Sequence, residues 1–222
     1  MRKEVCLPKH VSEYPFRTDV AFPIHGVFGC WVDLYMGMVL CDLHSDNTCV
    51  RFVPLPEDYQ MSSLPLARGR PSVHSTVGFI NGDLKLVYMD GYDDEECPRD
   101  QVTISAWSYR YKGNFSIGEP GLGEWIRDHG TPLRVTDLWA NMSVPGLPKR
   151  PPMCPVLSLS DADMVYFFSS DIAYVDGHIA TKGEHVLCLD MRSKKVQSWR
   201  KCPPGRSFQL IPSLIGIPSH CY

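Results

Sequence analysis

At 222 residues, 44% hydrophobic and 21% charged, the chain is long enough to bury one large all-β core or two small ones. Its formal net charge of -3 argues against a dedicated nucleic-acid binder, and no run reaches the roughly 18 apolar residues that span a bilayer. Nine irregularly spaced cysteines and the lack of an apolar signal core in residues 1–10 point to a cytoplasmic or nuclear protein with reduced, mostly buried thiols.

In chain order, residues 1–26 show no period, and Pro8, Pro15 and Pro23 interrupt any helix. An irregular N-terminal arm or irregular first strand is expected there. The β-rich domain then runs over 27–202. Trp31-Val32-Asp33-Leu34, Met38-Val39-Leu40-Cys41 and Val50-Arg51-Phe52-Val53 read as a three-strand meander. Gly37 serves the first turn, and Pro54 and Pro56 stop the last strand. Met38 to Cys41 is apolar on both faces, as in a strand covered on both sides.

After a loop over 57–71, which carries Arg68 and Arg70, the clearest local signal is Asn81-Gly82 between two β-rich runs. This is a type I′ hairpin signature. It pairs Ile80 with Asp83, Phe79 with Leu84 and Val77 with Leu86. Phe79, Val77, Leu84, Leu86 and Tyr88 then share one face of a half-buried sheet. An acidic loop follows (Asp90, Asp93, Asp94, Glu95, Glu96), then a strand from Val102 to Tyr109. Residues 119–130 leave room for one helical turn, and the five prolines of 144–155 predict an extended connector.

The last third predicts strands at 164–168, 172–175, 178–180, 185–191 and 196–199, with Asp176-Gly177 as a second hairpin signal. The tail over 203–222 is irregular. The sum is about ten short strands with no long helix. This is an all-β chain of antiparallel meanders, and a strand–turn–strand recurrence favours a partial or irregular β-propeller-like fold over a β-sandwich.

The run from Trp31 through Asp42, followed by Arg51-Phe52-Val53-Pro54-Leu55-Pro56, resembles the plant domain-of-unknown-function family numbered 1618, which is expanded in grasses. The hairpin Asn81 to Val87, Thr103 to Trp107, Asp161 to Phe167 and Leu189 to Lys194 extend the likeness over roughly 27–199. That resemblance implies a likeness to the propeller domains that follow F-boxes in ubiquitin-ligase adaptors. It brings no catalytic residues.

Candidate sites are few. Cys41, His44 and Cys49 have metal-like spacing, but a fourth ligand is missing locally and Cys41 sits on an apolar strand. Cys202, His220 and Cys221 lie in or beside the tail. The acidic loop lacks calcium-loop spacing. Gly118 to Gly123 lacks the Lys-Ser/Thr of a phosphate loop. No nucleophile elbow occurs. No catalytic residue, metal or cofactor is therefore expected. The reading is a non-enzymatic protein-interaction module that meets an unknown protein partner, with Tyr92, Asp93 and Asp94 as partner-binding residues. The rival is a hydrolase or metal-dependent enzyme assembled from scattered loop residues.

Overall fold

Three four-stranded antiparallel meanders follow one another along the chain. The computed structural model describes residues 15–44, 50–59, 69–92, 94, 97–111, 123–130, 132–140, 150–175 and 178–203, without side chains for 171–182. The first sheet holds β1 (Val20–Ile24), β2 (Phe28–Asp33), β3 (Gly37–Asp42) and β4 (Val50–Pro54). The second holds β5 (Ser75–Ile80), β6 (Asp83–Asp90), β7 (Thr103–Arg110) and β8 (Glu124–Arg127), and the two-residue β9 (Leu133–Arg134) also pairs with β7. The third holds β10 (Met153–Leu157), β11 (Met164–Val175), β12 (His178–Asp190) and β13 (Lys195–Lys201). One short helix, α1 (Val135–Ala140), links β9 to β10. Two 3-10 turns, Glu57–Tyr59 and Pro71–Val73, join the first sheet to the second.

The strongest local signals hold. Asn81 and Gly82 take positive φ (52° and 94°), as a type I′ turn requires, and Ile80, Phe79 and Val77 pair with Asp83, Leu84 and Leu86. Gly37 also has positive φ, at 147°. Asp33, wholly buried at the first turn, accepts hydrogen bonds from the backbone N–H groups of Arg17 (2.8 Å) and Tyr35 (3.0 Å). A buried carboxylate is tolerated there because donors surround it.

Two cores hold the layers together. One packs Ile24, Val32, Met38 and Leu40 of the first sheet against Val77, Leu84, Leu86 and Trp107 of the second. The other packs Ile80, Val87, Met89 and Ile104 against α1 and against Leu157, Phe167, Leu187 and Leu189 of the third sheet. The second sheet is therefore buried on both faces, and the half-buried sheet expected from the hairpin is corrected. Its alternation hides this because both sets of alternating residues are apolar enough to bury.

Other expectations also change. Residues 124–127 form β8 rather than a helical turn, with Trp125 bonded through its indole N–H to Pro54 O at 2.7 Å. Of the expected connector over 144–155, residues 144–149 lie outside the described residues, and Met153–Leu157 form β10, the edge strand of its sheet, where Pro155 falls in a register shift between Met153 and Val156. Proline is tolerated at such bulged edges. The four short strands predicted over 164–191 are two long ones, β11 and β12, paired from Met164↔Asp190 to Val175↔His178. Val20–Ile24, within the expected arm, pairs with β2 in register from Val20↔Val32 to Ile24↔Phe28.

Candidate functional site

The acidic loop leaves β6 at Asp90 and returns to β7, over an aromatic cluster at the seam between the first two sheets. His74, only 3% exposed, ends the second 3-10 turn and donates its N–H to Pro71 O at 3.0 Å. Its carbonyl accepts the Met89 N–H at 2.9 Å, which ties this turn to the strand that feeds the loop. The His74 ring is stacked with Tyr92 (centroids 6.1 Å apart, planes at 10°) and meets Tyr88 edge-on at 5.9 Å. Tyr88 in turn packs edge-on against Tyr59 at 4.2 Å. The Tyr59 hydroxyl donates to Leu34 O, and burial pushes its pKa far up, so it remains a donor throughout the physiological range.

The loop is fastened from outside as well. The Arg99 guanidinium lies 5.4 Å from the Tyr92 ring centroid, and its Nη1 donates to Tyr92 O at 2.7 Å. The Cys97 N–H donates to Asp94 O at 3.2 Å, and the Gln101 N–H to Pro98 O at 2.8 Å. Cys97 Sγ packs directly on Gly91, where a side chain would displace it.

Of the residues expected to contact a partner, Tyr92 is half-buried and held between His74 and Arg99, and Asp94 is exposed. Asp93 lies outside the described residues. Sequence reading missed His74 and Arg99. His74 precedes a strand without any motif, and Arg99 reads as a lone charge. The one available signal was a tyrosine with an arginine seven residues on, across a Gly-closed loop.

Two other polar constellations cross-link the structure, one within the second sheet and one between the second and third. The Lys85 ammonium donates to Ser108 Oγ (2.6 Å) and pairs with Asp128 Oδ2 (2.9 Å), while the Ser108 hydroxyl donates to Asp128 at 2.7 Å. Ser108 is 4% exposed, so these three groups cross-link β6, β7 and the turn after β8, away from solvent. Asp163 joins His129 Nε2 (2.9 Å) and Arg192 Nη2 (2.6 Å), which ties the second sheet to the third. A cavity of about 10 Å³ beside His129 and Lys194 has room for a single water.

Cys41 is buried, its thiol 3.4 Å from Asp42 O, and Cys49 lies outside the described residues, as do His220 and Cys221. Among the described residues no group of three His, Cys, Asp or Glu side chains is arranged to hold a metal ion. Most of Gly118 to Gly123 is likewise outside them. No described helix is long and apolar enough to cross a membrane.

Fold and site together define an all-β scaffold of successive antiparallel meanders with a fastened acidic loop at one seam. The chain belongs to the family described as protein of unknown function (DUF1618), which matches residues 31–166. That match begins inside β2 and ends inside β11, so β1 and the strands that complete the third sheet lie outside it. Neither a curated protein nor a solved structure matches the chain.

Proposed function

We propose that the protein is a non-enzymatic interaction module in which residues 27–202 act as one domain and the loop at 90–100 meets a basic surface on a protein partner. The observation that carries this reading is the seat of Tyr92, between His74 and Arg99. A loop fastened in this way presents its carboxylates at low ordering cost, which is what binding rewards. Asp90, Asp94 and Asp100 are all exposed on it. The three meanders are proposed to act as blades of a partial propeller, like the domains that follow F-boxes in plant ligase adaptors, in a cytoplasmic or nuclear setting.

The rival hydrolase reading finds its serine, lysine and carboxylate in Ser108, Lys85 and Asp128. There Ser108 is only 4% exposed and Lys85 and Asp128 are paired with each other, so the hydroxyl is closed off from a substrate.

The test is affinity capture from plant extract with quantitative mass spectrometry, comparing the full chain with its Tyr92→Ala/Asp94→Lys variant. Proteins retained by the parent and depleted from the variant are the expected result. Equal capture by both, or turnover of a substrate by the purified chain, defeats the reading.

A further inference from the structure

The last strand has a chemistry that the acidic loop does not explain. From Arg192 to Lys201 the chain carries five basic residues (Arg192, Lys194, Lys195, Arg200 and Lys201) and no acidic one. β13 closes the third sheet, so its outer side has no strand neighbour among the described residues. Arg192 is tied to Asp163, but Lys195, Arg200 and Lys201 are exposed and have no ion-pair partner among the described residues. Trp199 is 37% exposed, its ring tilted against His185 with centroids 5.5 Å apart.

Backbone direction adds an independent observation. The Cys202 N–H donates to Glu184 O at 2.7 Å, toward β12. Because these groups alternate along an antiparallel strand, the N–H and C=O of Lys201 and Trp199 point outward.

We propose that β13 is a second interaction surface, which takes an acidic, extended peptide segment of a partner protein as an added strand. The seven residues of β13 offer ~23 Å of edge. The outward backbone groups supply pairing, Trp199 supplies apolar contact, and the three free cations select carboxylates. Edge lysines alone would serve to repel other strands, but an exposed tryptophan beside them works against that role. A nucleic acid would leave the outward backbone groups unused, and the net charge of -3 opposes its approach.

The probe is a fluorescent heptapeptide of alternating glutamate and valine, titrated with the full chain and followed by anisotropy. Binding is expected at about 50 mM salt and should weaken clearly at about 300 mM. Arg200→Glu/Lys201→Glu should weaken it at least about tenfold, with Trp199→Ala intermediate, and N-methylation of alternate peptide bonds should abolish it. Arg200 and Lys201 are exposed, so the charge reversal should keep the parent melting temperature, whereas Trp199→Ala also loses its contact with His185 and is titrated well below its own melting temperature. No binding, or binding indifferent to the charge reversal, overturns the proposal. So does equal binding of the N-methylated peptide, tighter binding of a single-stranded oligonucleotide of equal charge, or a self-association that the charge reversal dissolves.

Discussion

Leu86 and Val87 are neighbours on β6 whose side chains enter different cores, and truncating each should destabilise the protein. Leu86 is fully buried in the core shared with the first sheet, opposite Val77 and Trp107. Leu86→Ala should cost about 3 kcal/mol through lost transfer energy and a residual cavity. Val87, 1% exposed, belongs to the core shared with the third sheet. Removing two methyl groups there loses ~1.6 kcal/mol of transfer energy at ~0.8 per group, or about 2 kcal/mol with the cavity. In a chain of this length these losses lower the melting temperature by roughly 6–12 °C and 4–8 °C respectively. Urea unfolding followed by tryptophan fluorescence reads both. A Val87→Ala variant within about 0.5 kcal/mol of the parent would mean that this face is solvated, as surface substitutions are. The packing of the third sheet on the second would then be wrong.

Three more outcomes follow from local chemistry. Asp128→Ala should cost about 2–3 kcal/mol in urea melts, because it leaves the Lys85 side chain without its partner in a largely enclosed site, whereas Lys85→Met/Asp128→Leu should cost less than the single change. A larger loss for the double variant would refute the cross-link. Cys30 is fully buried, which pushes its thiol up to about 12, so in the folded protein at about pH 8 an alkylating reagent should mark half-exposed Cys97 well before Cys30 and leave Cys30 unmodified by peptide mapping. Asp190 accepts the Ser193 and Arg192 N–H groups, which hold its carboxyl below the usual value. Its folded pKa is depressed, so its contribution is present above the unfolded value of about 3.9 and is lost as pH falls through the lower folded value. The stability gap between the parent and Asp190→Ala should therefore be open at about pH 5 and narrow toward about pH 2; a constant gap contradicts the assignment.

How much of the site was legible follows from the range of each interaction. Tyr92 and Asp94 stood out because an acidic Gly-Tyr loop after a strand is a local pattern. His74 lies 18 residues away from Tyr92, beyond any local pattern, and joins it only because Met89 pairs its N–H with the His74 carbonyl. Arg127 shows the same limit. Its salt bridge to Asp58 (2.7 Å) reaches the 3-10 turn that follows the first sheet, 69 residues back, and its cation–π contact with Trp107 (5.2 Å) joins cross-strand neighbours of the second sheet.

By itself the sequence determined what a few adjacent dihedrals decide. Asn81-Gly82 admits one turn, that turn sets one register, and the register sorts Val77, Phe79, Leu84 and Leu86 onto one face. The family and the order of meanders are read from the same short-range grammar. Only the tertiary structure decided what each face meets. Alternation assigns Val87 and Met89 to the opposite face, but whether water or a third sheet lies there depends on residues about 80–100 positions further along. The same holds for the two proposed interaction surfaces. Carboxylates in a loop and cations on a strand are written in the chain, whereas the seat beneath Tyr92 and the outer edge of β13, which has no strand neighbour among the described residues, exist only once the sheets are in place.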